Sequence, residues 1–106
     1  MTMDRVIDEP AVAEALESLC RKHRVLRLSL FGSGAAGTLT DESDLDFMVE
    51  FEGMPPSAHA DAYFGLLANL EAVCQRRIDL LERSAIENPY LLRRIERSRR
   101  LIYEAA

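Results

Sequence analysis

The residues of this chain whose types and spacing could do chemistry are Gly32, Ser33, Asp44, Asp46 and Asp79. A glycine that closes an extended segment lets the backbone approach a ligand, and the Ser33 hydroxyl with neighbouring N–H groups supplies donors for phosphate oxygens. After residues 34–43 comes Asp44-Leu45-Asp46. In a strand, residues two apart share a face, so both carboxylates project one way while Leu45 points the other. Two adjacent anions require a cation, and Mg²⁺ is typically held by one or two carboxylates plus substrate phosphates. Asp79, between Ile78 and Leu80, sits among apolar neighbours, where an unpaired buried carboxylate would be costly. As a third carboxylate it would allow two ions about 3.5–4 Å apart, stabilising an attacking oxygen and a leaving pyrophosphate, with Asp79 helping to deprotonate the incoming hydroxyl. Together these are the parts of an in-line nucleotidyl transfer.

Either half of the pattern is common alone. Gly-Ser occurs widely, and Asp-x-Asp often marks a turn with solvated carboxylates. The conjunction is rare: strand, Gly-Ser, spacer, Asp-x-Asp opening a second strand, then Ile-Asp-Leu after one helix.

The elements that must position these residues can be read from periodicity. Pro10 suits a first helical position, and Val12, Leu16, Leu19 and Cys20 recur at helical spacing up to His23. Residues 25–31 alternate, with Leu26, Leu28 and Leu30 on one face, and stop at Gly32. Residues 44–51 alternate again. Ser57 is an expected N-cap for a helix carrying Ala60, Tyr63, Phe64, Leu67, Leu70, Val73 and Cys74 on one stripe. Residues 77–82 form a third strand, Asn88-Pro89 starts a helix with Leu91, Leu92 and Ile95 facing a core, and Leu101-Ile102-Tyr103 adds a last strand. This order predicts an α/β (α+β) fold, a small sheet packed by helices, in a single domain spanning residues 1–106.

Composition narrows the function classes. With 48% hydrophobic and 29% charged residues the chain should fold in water. A net charge of -5 disfavours RNA or DNA as a broad-surface partner. No apolar run approaches the ~18 residues of a membrane span, so the expected location is cytoplasmic, with no membrane partner. Cys20 and Cys74 stand apart, without metal-ligand spacing, and read as buried free thiols.

At the residues LFGSGAAGTLTDESDLDFMVEF, RRIDLLE and ENPYLLRRIERSRRLIYE the chain resembles the minimal nucleotidyltransferases, an antitoxin-rich branch of the polymerase-β-like superfamily, from about Val25 to Glu104. The resemblance implies a mixed sheet with helices on one side and ATP as substrate. It implies Mg²⁺, as two ions, on Asp44, Asp46 and Asp79, and phosphates held at Gly32 and Ser33. The implied activity is adenylyl transfer to a tyrosine of a HEPN-domain toxin partner in a type VII-like toxin–antitoxin pair. In one departure, Gly34 and Ala36 stand where relatives commonly carry arginines. Phosphate binding is then weakened, or its cations come from Arg76 or Arg77.

Other polar residues have duller readings. Asp41, Glu42 and Ser43 make a solvated turn before the second strand, and His23 and His59, with no partner at ligand spacing, are expected at the surface. Arg93, Arg94, Arg97, Arg99 and Arg100 read as a solvated helix face, with docking to an acidic partner or RNA as the sharper alternative. Two further functional readings compete with catalysis on a toxin. One is a catalytically weak or inactive relative that neutralises its toxin by binding alone. The other is a free-standing transferase for a small molecule such as an aminoglycoside, for which the chain is short of an acceptor-binding domain.

Overall fold

Proline and capping chemistry sets where the helices begin. The computed structural model describes residues 9–32 and 44–105. Ser33, Gly34, Ala36 and the Asp41-Glu42-Ser43 turn lie outside the described residues. In chain order the elements are α1 (Pro10–Lys22), β1 (Val25–Phe31), β2 (Leu45–Phe51), α2 (Pro56–Cys74), β3 (Ile78–Glu82), a 3-10 turn (Arg83–Ala85), α3 (Pro89–Ser98) and β4 (Arg100–Glu104). Each of the three helices carries proline in its first turn, where a missing N–H leaves no bond unmade. The Asn88 side chain caps α3 as expected, accepting from the N–H groups of Tyr90 at 2.9 Å and Leu91 at 3.3 Å. Ser57 does not cap α2. The helix starts two residues earlier than that cap would set, with Pro55 at the N-cap position and no side-chain cap, because consecutive prolines already fix φ near the helical value.

The strands form one sheet in the order β3-β2-β1-β4. β1 is antiparallel to both β2 and β4, and β2 runs parallel to β3, giving the mixed, helix-packed sheet predicted. Helices α1 and α2 pack on each other and on one face of the sheet. Leu16 and Cys20 of α1, Leu28 and Leu30 of β1, Phe47 and Val49 of β2, and Leu66 and Leu70 of α2 are buried together there. Each such leucine, valine or phenylalanine contributes roughly 1.5–3 kcal/mol by leaving water.

Two hydrophobic stripes differ from the expectation. In β1, Val25 lies opposite Phe51 but Arg27 lies opposite Glu50, so Leu26 is an extra residue in a bulge. The bulge takes Leu26 out of the face it would share with Leu28 and Leu30, leaving it 44% exposed while Val25 is buried. In α2 the buried line is Ala62, Leu66, Leu70 and Cys74, whereas Phe64 is 65% exposed and Ala60 is exposed. Likewise Ile95 is the buried residue of α3, and Leu91 is exposed.

The opposite sheet face is also covered, which departs from the helices on one side that the resemblance implies. Ser29 and Met48 face each other across β1 and β2, alternate with the core residues and are buried, as is Ile95. Since β3 and β4 are opposite edges, the connection through α3 must cross the sheet, and the burial of Met48, Ser29 and Ile95 places that crossing on this second face. Arg83 at its start is tied to Glu96 through Oε1 at 2.8 and 3.1 Å.

The two histidines are not bare surface groups. His23 is half-buried, with Nε2 3.0 Å from Asn69 Nδ2 and its ring so close to Gly65 that a β-carbon there would lie 2.7 Å from Cε1. His59 pairs with Glu82 and lies 5.4 Å from the Phe51 ring centroid.

Removing the α3 cap in Asn88→Ala is expected to cost about 1 kcal/mol, lowering Tm by roughly 4–8 °C in a calorimetric scan. Burial pushes the Cys20 thiol up to about 12 and the Cys74 thiol up to about 11. A disulfide reagent at pH 8 should therefore leave both unmodified in the native chain and modify both in guanidinium.

Candidate active site

Strand direction gathers the candidate residues at one end of the sheet. β1 ends there at Phe31, β2 and β3 begin there, and antiparallel β4 starts there with Arg100 opposite Leu30. Phe31 lies opposite Asp46, and Asp46 lies opposite Asp79. Because paired residues share a face, Phe31, Asp46 and Asp79 make a row across three strands, on the face opposite the α1/α2 core. The buried Leu45 and Leu80 beside the two aspartates anchor their strands in that core.

Two backbone contacts fix the height of the row. The Leu45 N–H donates to the Arg77 carbonyl at 3.0 Å, tying the start of β2 to the residue before β3. From α2, the Tyr63 hydroxyl donates to the Leu80 carbonyl at 2.7 Å, holding the strand that carries Asp79. Burial, then the charges of Glu82 and Asp79, raise the Tyr63 phenol above its usual range, so it remains a donor at neutral pH.

Gly32 follows Phe31 with φ of +70°, and a β-carbon there would lie 2.6 Å from Asp46 Oδ2. Only glycine gives both the left-handed turn and the room beside the carboxylate. Ser33 lies outside the described residues.

Asp46 is half-buried, while Asp44 and Asp79 are exposed. Exposure of Asp79 corrects the expectation of a carboxylate buried among apolar neighbours: Ile78 and Leu80 point to the core side of β3 and Asp79 points away, toward solvent. The Asp46 carboxyl is raised above the ordinary aspartate value, first by burial, then by the charge of Asp79, then by that of Asp44. Electrostatics thus couple the three carboxylates that the sequence pattern singled out.

This donor set suits a hard cation delivered with its own ligands. Among the described residues no three Asp, Glu, His or Cys side chains converge tightly enough to enclose an ion. Mg²⁺ is seldom caged by protein alone, however, and completes its octahedron with phosphate oxygens and water around one or two carboxylates. The repulsion felt by Asp46 and the space kept open by Gly32 both fit such a group. The His59–Glu82 pair and the cleft beside it, lined by Phe51, His59, Glu82 and Arg83, lie at the other end of β2 and β3, away from the carboxylates. No sequence spacing pointed to that pair, since it joins a helix to a strand.

Comparison with known proteins agrees with this geometry. Residues 12–102 match the family described as "Nucleotidyltransferase domain". A protein of Methanocaldococcus jannaschii named "Putative protein adenylyltransferase MJ1379" is 39% identical over 82 residues, covering 77% of this chain and 79% of that protein. Among solved structures, one described as "Structure of putative minimal nucleotidyltransferase" superposes with a TM-score of 0.68 at 31% identity, over 94% of this chain and 95% of the other. A toxin–antitoxin complex with AMP-PNP contains a chain that superposes with a TM-score of 0.67 at 19% identity, over 88% and 73%, a likeness of fold. With its mixed sheet, the row of aspartates at the strand ends and a family match over most of its length, this chain belongs to the nucleotidyltransferase family.

Proposed function

We propose that this nucleotidyltransferase moves AMP from ATP to a tyrosine hydroxyl on a HEPN-domain toxin, silencing it as the antitoxin of the pair in the cytoplasm. The observation that carries the reading is the register that sets Asp46 beside Asp79 at the end of a strand closed by Gly32. Adenylyl transfer to protein is favoured by the curated relative's name, and a toxin partner by the toxin–antitoxin complex of like fold.

Asp44, Asp46 and Asp79 would hold Mg²⁺, as two ions, and Gly32 and Ser33 would seat the phosphates. When bound, the metal supplies charge neutralisation on the triphosphate and on the leaving pyrophosphate. The protein's own residues do the rest. Gly32 keeps Asp46 Oδ2 accessible by carrying no side chain. Asp79, on an edge strand and exposed, is the carboxylate open to an incoming hydroxyl and accepts its proton. Attack of the tyrosine oxygen on the α-phosphorus forms the new P–O bond as the bond to pyrophosphate breaks. Arg77, whose carbonyl binds Leu45, stands at the same strand ends. A binding-only antitoxin is the second reading, favoured by the lack of any Lys or Arg in residues 33–43.

The test is transfer of label from ATP tagged at the α-phosphate, with Mg²⁺, to a HEPN toxin. Native chain should label the toxin, and Asp46→Asn should lower the rate by about 100-fold or more, the scale of losing a group that meets transition-state charge. A stable complex without label establishes the binding-only reading instead. Without metal, Asp46→Asn should also stabilise the fold, because like charges on neighbouring strands cost about 0.2–1 kcal/mol. A rise in Tm alongside lost transfer separates lost catalysis from lost folding.

Acidity adds a further expectation. Because the folded state raises the Asp46 carboxyl, native protein binds more protons than unfolded chain between the unfolded and folded pKa values. The metal-free fold therefore loses stability as pH rises through that window. Mg²⁺ needs the deprotonated form, so its stabilisation of the fold should do the reverse, fading as pH falls through the raised folded value. Melting curves with and without Mg²⁺ across pH 4–8 should converge at the acidic end.

A further inference from the structure

The residues between Gly32 and Asp44 include no lysine or arginine, so a triphosphate at the strand ends must find protein cations elsewhere. Topology brings one there. Helix α3 starts beyond the far end of β3, crosses the second sheet face and finishes where β4 begins, at the end of the sheet that carries Asp46 and Asp79. Arg99 closes α3, its N–H donating to the Ile95 carbonyl at 2.8 Å, and already has extended backbone, with φ of -66° and ψ of 147°. Arg100 lies opposite Leu30 and Leu101 opposite Ser29. Arg99 directly precedes β4, one residue beyond the Leu30–Arg100 pair, and so adjoins the row that Phe31, Asp46 and Asp79 make over the other three strands. Strand alternation puts Arg99 on the face shared with Ser29, Met48 and Asp46.

A buried guanidinium nitrogen marks Arg99, as it does Arg76, and Arg99 is the one that adjoins the start of β4. Arg21, Arg24, Arg27 and Arg83 are each paired with a glutamate. Arg99 is half-buried, has no ion pair among the described residues, and its Nη1 is buried without a hydrogen-bond partner. Buried donors without acceptors are rare and costly, and a charged one more so. A guanidinium fork matches phosphate oxygens. About two strand spacings of 4.7–4.9 Å separate the β4 and β2 backbones, a gap that an arginine side chain and a phosphate chain extending from Asp46 close between them.

We infer that Arg99 is a phosphate ligand of the nucleotide site, meeting the triphosphate from the β4 side while the aspartates meet it from β2 and β3. The inference rests on the nucleotide reading proposed above. It also gives the basic run of α3 a specific end: Arg99 serves the site, whereas Arg97, exposed two residues earlier, remains solvated.

Calorimetric titration of ATP and of inorganic tripolyphosphate, both with Mg²⁺, into native chain, Arg99→Gln, Arg99→Lys, Arg97→Gln and Asp46→Asn tests it. Arg99→Gln should weaken both ligands about tenfold to a hundredfold, the scale of one charge-assisted hydrogen-bonding group. Arg99→Lys should lose less, since charge stays and the fork goes, and Arg97→Gln should bind within about twofold of native. Melting midpoints near native separate a lost contact from a lost fold, and Arg99→Lys carries the comparison if Arg99→Gln melts early. Native affinity in both Arg99 variants, with Asp46→Asn impaired, overturns the assignment of Arg99 alone. A native chain that binds neither ligand overturns the nucleotide reading and Arg99's role with it.

Discussion

Like charges placed side by side are the constraint on which the rest of this structure depends. The register of β2 against β3 sets Asp46 opposite Asp79, with Asp44 adding its charge, and the folded chain holds Asp46 partly out of water where its ionisation is disfavoured. Such an arrangement opposes folding and persists because other contacts hold it. Leu45 and Leu80 bury their side chains on the far face, the Leu45 N–H reaches the Arg77 carbonyl, and the Tyr63 hydroxyl clamps the Leu80 carbonyl. A cation bound there would release the stored repulsion, which would be a physical reason for a small domain to spend stability on a row of anions.

The sheet order explains how so short a chain builds an environment around that row. Three strands meet it with their ends, two bearing aspartates and one closing in Gly32. The fourth is fed by a helix that has crossed the sheet from the opposite edge. One end of the sheet therefore receives acidic groups from its centre and one edge and basic groups from the other edge. A net charge of -5 conceals this separation, which is why overall charge is a poor guide to where a phosphate would sit.

Much of this was legible in the residues and some was not. The alternation of Leu28 and Leu30 and of Leu45, Phe47 and Val49, the Asn88-Pro89 cap, and the Asp-x-Asp and Ile-Asp-Leu patterns are local signals, and the structure follows them. The errors fall where local signals are degenerate. Helix α2 carries apolar residues around much of its circumference, so a stripe through Phe64 looked as good as the one through Ala62 and Leu66 until the sheet chose between them. The bulge at Leu26 depends on the strand opposite, as does the direction of Asp79, whose apolar sequence neighbours face the other way. Pairing of His59 with Glu82, and arrival of Arg99 at the aspartate row, depend on strand order, which no periodicity encodes.

The parallel pairing of β2 with β3 has a kinetic consequence. Those strands can meet only after α2 has closed the connection between them, whereas β1 and β2 pair antiparallel across a shorter segment. Non-local parallel pairing is slow to form because loop entropy is lost before contacts compensate. On that argument the carboxylates of Asp46 and Asp79 would come together late, and their repulsion would fall mainly on the native side of the folding barrier. A cation that relieves it would leave the folding rate nearly untouched and act by slowing unfolding. Occupancy of this site would then lengthen the lifetime of the folded chain rather than hasten its birth.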